Sequence, residues 1–254
     1  MDPLYRIDHR GAPRHAFRRH DGWRLLDGDP FGAYTVGAAL DTDSPRLLAP
    51  VMPSKIVAVG LNYKDHAAEM NKALPEEPLI FLKPSTAVIG TGVPIVIPSG
   101  AGRVDYEAEV GVVIGKTARH VPASRAHEYV LGLTCVNDVT DRDLQRRDVQ
   151  YTRAKGFDTF APLGPCIVSG DLDRPIRVES RVNGETRQQS STRELIFPIR
   201  DLVAFVTRVM TLLPGDIIST GTPPGVGPLV PGDEVVVAIE GVGELVNDVV
   251  AAQE

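Results

Sequence analysis

The segment RVDYEAEVGVVIG sets Asp105, Glu107 and Glu109 at alternate positions, and alternate residues of an extended strand share a face. Carboxylates one pleat apart repel each other, so they need either full solvation on an open face or a bound cation. The pattern alone leaves both readings open, because strands with a charged outer face are common. A second stretch, LTCVNDVTDRDLQRRD, carries an apolar strand into Asn137 and Asp138 and then into a polar, arginine-rich run. Asp138 reads either as the N-cap of a helical turn over VTDRDLQ or as a third carboxylate beside Glu107 and Glu109. The second reading gives an all-oxygen set suited to a hard ion such as Mg2+ or Mn2+.

In GLNYKDHAAEMNK a helix places His66 and Glu69 on one face, where the carboxylate can orient the ring and raise its basicity. That is the outline of a general-base pair, although a surface histidine beside a helical glutamate has the same spacing. His9, His15, His20, His120 and His127 lack such a partner and are expected to be solvated. Lys155 stands in the Gly/Pro-rich segment TRAKGFDTFAPLGP, as a cation positioned for substrate or as an ordinary surface lysine. STGTPPGVGP follows a strand and offers N–H and hydroxyl donors for an oxyanion. It lacks the spacing of a nucleotide P-loop, and no G-x-G-x-x-G follows the first strand. Arg142, Arg146, Arg147 and Arg153 form either a recognition site for a second carboxylate or a solvated cluster.

The elements that must hold these groups are mostly strands. The chain of 254 residues has 24 Gly and 21 Pro punctuating short Val/Ile-rich runs. KIVAVGLN, IVIP, YEAEVGVVIG, YVLGLTCVND, IRVESRV, DIISTG and EVVVAIEG read as strands, and Asn183-Gly184 as a hairpin turn. RDLVAFVTRVMTLL has helical periodicity, with Leu202, Phe205, Val206, Val209, Met210 and Leu213 on one face and Pro214-Gly215 as its stop. YKDHAAEMNKA and PASRAHEYV are shorter candidates, and the first, polar and followed by a Pro-rich stretch, is expected to act as a mobile lid. Pro50 and Pro53 mark a boundary between a small N-terminal β module (residues 1–50) and a β-rich catalytic domain (residues 51–254).

With 43% hydrophobic residues the chain can bury a sizeable core. A net charge of −6 gives no basic field for nucleic acid, so an anionic substrate needs a local cation. Cys135 and Cys166 have neither disulfide-framework nor metal-type spacing and are read as core residues, which fits a cytoplasmic protein. No stretch is long and apolar enough for a membrane span.

In order along residues 53–250, VGLNYKDHAAEM, PLIFLKPSTAVIG, VDYEAEVGVVIG, VNDVTDRDLQ, KGFDTFAPLGP, STGTPPGVG and IEGVGELVNDV resemble the fumarylacetoacetate hydrolase family. The resemblance implies a mainly β fold of α+β type, a mixed β-sandwich or roll with few short helices, assembled as a homodimer. It implies that Glu107, Glu109 and Asp138 hold one Mg2+ or Mn2+, that His66 and Glu69 form a lid dyad, and that Lys155 faces substrate. Arg142, Gln145 and Thr222 resemble the family's substrate-contacting positions, with Ser85 and Thr86 in a minor positioning role. The implied activity is cleavage of a C–C bond in a small 2-oxo or 1,3-diketo acid through a metal-bound enolate. Isomerisation of a hydroxydienedioate or decarboxylation of oxaloacetate uses the same site. A metal-binding protein of this fold without catalysis is the reading of another class, and retention of His66, Glu69 and Lys155 argues against it.

Overall fold

The computed structural model describes residues 2–253. One long sheet forms its spine. In spatial order it runs Tyr34–Ala39, Gly22–Gly28, Ala12–Arg19, Leu4–His9, Ala161–Val168, Val130–Asn137, Ala108–Ile114, Ile217–Ser219, Ile56–Gly60, Leu79–Lys83. Neighbours are antiparallel except Ile217–Ser219 beside Ile56–Gly60, which is parallel. A five-stranded sheet (Glu185–Ser191, Arg177–Val182, Glu234–Ile239, Gly243–Ala251, Ile95–Ile97) stacks on it. Between the two lies the main core, where Val110, Val112, Cys135 and Cys166 meet Val178, Val237, Ile239 and Leu245. Both cysteines are fully buried free thiols, as expected. The mainly β architecture expected from the sequence is therefore present.

The first four strands form a meander whose Leu4 pairs with Ile167, so they extend the spine sheet directly. Leu4, Phe17 and Leu26 share a second core with Ile56, Val113, Val136 and Ile217 on the sheet's other face. The turn at Asn183-Gly184 has both residues in the left-handed region, φ 52° and 80°, which suits a two-residue hairpin between Arg177–Val182 and Glu185–Ser191.

Four α-helices are present among the described residues: α1 (Lys64–Glu69), α2 (Arg142–Arg147), α3 (Thr152–Lys155) and α4 (Ile199–Val209). α4 is shorter than its periodicity predicts. Ala118 and Leu212 exchange backbone hydrogen bonds of 2.9 and 3.0 Å, drawing the chain into extended conformation from Met210 onward. The buried face is consequently Ile199, Leu202, Val203, Val206 and Thr207, while Val209 and Leu213 are exposed. PASRAHEYV forms a 3-10 helix at Ala123–Glu128. His15 is half-buried rather than solvated, because its Nε2 lies 3.2 Å from the Pro50 carbonyl in the turn leading out of the meander. No helix among the described residues is long and apolar enough to cross a membrane.

Candidate metal centre

The stretch carrying Glu107 and Glu109 is two strands in two sheets, not one. Val104–Tyr106 belongs to a three-stranded sheet with Thr140–Asp141 and Gly227–Pro228, and Ala108–Ile114 belongs to the spine. The break falls at Glu107, whose N–H donates to Asn137 Oδ1 (3.0 Å) while its carbonyl accepts from Asp138 N–H (2.9 Å). That exchange brings Asp138, at the end of Val130–Asn137, against Glu107. Ligand oxygens of Glu107, Glu109 and Asp138 all lie within 4.8 Å of one another, and all three residues are buried. An open, solvated carboxylate face is thereby ruled out. The helix-cap reading also goes to another residue: Asp141 caps α2, accepting from Asp143 N–H (2.9 Å) and Leu144 N–H (3.0 Å).

Asp105 does not join this cluster. Arg103 Nε (2.7 Å) and Arg142 Nε (2.9 Å) grip its carboxylate. Arg142 also donates to Glu107 Oε1 (2.6 Å) and Gln145 Oε1 (2.9 Å), so this expected substrate contact is committed to protein acceptors. Lys155, at the end of α3, is 2% exposed, and its Nζ reaches Glu107 Oε2 (2.9 Å), Asp138 Oδ2 (2.6 Å) and Thr140 Oγ1 (2.8 Å). Burial works against its charge, but Asp138 and Glu107 outweigh it and raise the lysine pKa. Burial alone likewise raises Glu107, yet Lys155 and Arg142 hold it at about 2. Glu109 differs: burial, then the charges of Asp138 and Glu107, push it up to about 8. It has no ion pair among the described residues and accepts only from Ser219 Oγ–H (2.6 Å) and Gly221 N–H (2.9 Å), both at Oε2.

α1 begins after Tyr63 and ends at Met70, with Asn71 in the left-handed region just beyond. Asn62 fixes its approach: the side-chain amide donates to Thr220 O (2.8 Å) and its Oδ1 accepts from Phe197 N–H (2.8 Å). The helix is seated, with Ser190 Oγ–H on Asp65 Oδ2 (2.6 Å). His66 is buried, and its Nδ1 lies 2.9 Å from Glu69 Oε2. Glu69 Oε1 accepts from Gly225 N–H (3.2 Å). Two N–H donors of the STGTPPGVG turn, Gly221 and Gly225, thus go to Glu109 and Glu69. Thr222 donates to Ala108 O (3.0 Å) and accepts from Gln188 Nε2 (2.8 Å).

His66, Glu69, Glu107, Glu109, Asp138, Arg142, Gln145, Lys155 and Thr222 all line one cavity of about 600 Å³. Phe81, Tyr151, Leu79, Met70 and Val226 supply its apolar wall, and Lys72, Arg103 and Arg146 its remaining cations. Arg103 is paired with Asp105 and Arg146 with Asp143, which leaves Lys72 as the lining cation without a carboxylate partner among the described residues. Arg147 and Arg153 pair with Asp148 on the surface, outside the cavity. Ser85 and Thr86 do not line it either. Their neighbour Lys83 is the residue that matters there: fully buried, it donates from Nζ to Asp138 Oδ1 (2.5 Å) and Val139 O (3.1 Å). Lys83 closes the strand LIFLK, where Leu79, Phe81 and Lys83 share a face whose burial deepens along the strand.

The donor set fits a hard divalent cation. It is oxygen-only, buried, and includes in Glu109 a carboxylate with no cation of its own.

Residues 55–250 match the family model for the fumarylacetoacetate (FAA) hydrolase C-terminal domain. The chain is 44% identical over 215 residues to the mitochondrial oxaloacetate tautomerase of Rattus norvegicus, covering 80% of this chain and 69% of that protein. Its structure matches the crystal structure of 2-hydroxyhepta-2,4-diene-1,7-dioate isomerase from Mycobacterium marinum with a TM-score of 0.92, 40% identity and full coverage of both chains. It also matches fumarylpyruvate hydrolase from Pseudomonas aeruginosa in complex with Mn2+ and pyruvate, with a TM-score of 0.75, 35% identity, and coverage of 84% of this chain and 94% of that one.

Proposed function

Since the chain belongs to the fumarylacetoacetate hydrolase family, we propose that it is a divalent-metal-dependent enzyme that moves a proton beside the keto group of a small 2-oxo or 1,3-diketo acid. The observation that carries the reading is the convergence of the His66–Glu69 pair, Lys155 and the three buried carboxylates on one cavity. Glu107, Glu109 and Asp138 would hold the ion, Mg2+ or Mn2+, which when bound supplies Lewis-acid stabilisation of charge developing on the substrate oxygens.

The chain's own residues do the rest. Glu69 orients the imidazole through Nδ1, which leaves Nε2 as the proton acceptor, and the Gly225 N–H keeps Glu69 in place. Lys155 supplies positive charge where the substrate becomes more anionic. Phe81 and Tyr151, packed edge to face at 5.4 Å, give the cavity an apolar wall.

Two reactions fit the same site. If the proton is returned at another atom, the net reaction is tautomerisation or isomerisation, favoured by full-length likeness to the isomerase. If His66 instead takes a proton from water that adds to the distal carbonyl, the C–C bond breaks, its electron pair leaves on the 2-oxo acid fragment as an enolate that takes up a proton, and the other fragment leaves as a carboxylate; this C–C hydrolysis is favoured by likeness to the hydrolase. Product analysis separates them: enol–keto exchange of oxaloacetate without carbon loss supports the first, and pyruvate release from acetylpyruvate supports the second. The partner is the small anionic acid, and the assembly proposed is a homodimer, which light scattering at twice the 27.4 kDa chain mass would bear out.

A further inference from the structure

Each of the three carboxylates has one oxygen held by a donor other than Lys155. Asp138 Oδ1 is held by Lys83 (2.5 Å), Glu107 Oε1 by Arg142 (2.6 Å), and Glu109 Oε2 by Ser219 and Gly221 (2.6 and 2.9 Å). That leaves Asp138 Oδ2, Glu107 Oε2 and Glu109 Oε1 as the inner oxygens. Lys155 Nζ bridges the first two at 2.6 and 2.9 Å, and the third accepts no bond among the described residues. The two lysines on Asp138 therefore stand in different positions. Lys83 is fully buried, is tied also to the Val139 carbonyl, and does not line the cavity. Lys155 lines the cavity and lies 4.9 Å from the centre of the Phe81 ring, a face that can hold an ammonium displaced from carboxylate oxygens.

We propose that Lys83 is a positioning residue that pins Asp138 so that only Oδ2 faces an ion, whereas Lys155 is a placeholder on the ligand oxygens that a divalent ion displaces towards substrate. This inference rests on the metal reading above and adds a division of labour to it. Lys83 prevents Asp138 from turning both oxygens to the ion and stays paired in either state. Lys155 competes with the ion for Asp138 Oδ2 and Glu107 Oε2, and once released is free to meet a substrate carboxylate. Outer partners that orient metal ligands typically change affinity by about 10–100-fold when removed.

The test is calorimetric titration of Mn2+ into metal-free wild type, K83M and K155M at one pH, with circular dichroism and thermal melts of each variant, and no turnover in the readout. K83M is expected to weaken Mn2+ binding by about 10–100-fold, and K155M to bind Mn2+ more tightly than wild type. Equal affinity of K83M and wild type would overturn the pin. Equal or weaker binding by K155M would overturn the placeholder, and K83Q decides the pin by the same criterion if K83M does not fold. Absence of Mn2+ binding by the wild type would instead overturn the metal reading itself.

Discussion

Glu109 is the most poorly compensated buried charge in the site, and pH exposes it. Folded and metal-free, it titrates near 8 because of burial and the neighbouring Asp138 and Glu107, against an ordinary value of 4.5. A group whose folded pKa is raised stabilises the fold below its unfolded value and loses that contribution as pH rises through the folded one. Metal-free protein is therefore expected to melt at a lower temperature at pH 9 than at pH 6, and Glu109→Gln to flatten that difference; equal slopes in the two proteins would contradict it. Glu107 has the opposite sign, but at about 2 its contribution is lost only in strong acid, outside this window. His66→Ala is expected to lower kcat by about 10²–10⁴-fold, the range for a general base, with Mn2+ affinity unchanged by titration. Residue types and spacing offered the carboxylates, the dyad and Lys155 only beside solvated or capping alternatives, and it was the resemblance across seven ordered motifs that assigned their roles. The ties of Arg142 to Asp105 and Glu107 were not readable, nor was the Lys83–Asp138 pair across 55 residues, since nothing local records which strands become neighbours.

Positioning at the scale of elements depends on a few joints. Asp216 precedes Ile217–Ser219 and accepts from Ser54 N–H (3.0 Å), Ser54 Oγ–H (2.6 Å), Lys55 Nζ (2.5 Å) and Leu213 N–H (2.8 Å). Burial opposes its charge, but Lys55, Ser54 and the Leu213 amide prevail and hold its pKa below the usual range. It fastens the one parallel pair in the path of the spine sheet, so Asp216→Ala is expected to cost about 1.5–3 kcal/mol in urea unfolding, the range for hydrogen bonds to a charged group. Gly111 sits beside Glu109 on a strand so tightly flanked that a Cβ would meet Val136 Cγ2 at 2.5 Å. Gly111→Ala is expected to destabilise by about 1–3 kcal/mol through overpacking, read from the same denaturation curves. Strand alternation located Val104 to Ile114 correctly as extended chain but missed the change of sheet at Glu107, because a break held by Asn137 leaves the hydrophobic pattern intact. Periodicity likewise overran α4, since backbone pairing between Ala118 and Leu212 overrides an apolar repeat that would have carried the helix further.

For the whole molecule, the two stacked sheets and the meander that prolongs the larger one underlie a cavity that α1, a helix of six residues, helps to line. Mainly β architecture was legible from punctuation and β-branched runs alone, whereas the continuity of the first strands with the spine depends on one distant pairing, Leu4 with Ile167. A ligand that binds only the folded chain stabilises it by mass action, so Mn2+ at a hundredfold its Kd is expected to add about 2.7 kcal/mol in wild type and little in Glu109→Gln. The central claim is that the buried carboxylates hold a divalent ion used in chemistry on a 2-oxo acid. Its most direct test is turnover of oxaloacetate and acetylpyruvate in parallel, with Mg2+ or Mn2+ and then with chelator, by wild type and Glu109→Ala. The account predicts conversion of at least one acid that chelator stops, metal restores and Glu109→Ala abolishes; conversion that survives both chelator and the substitution would contradict it.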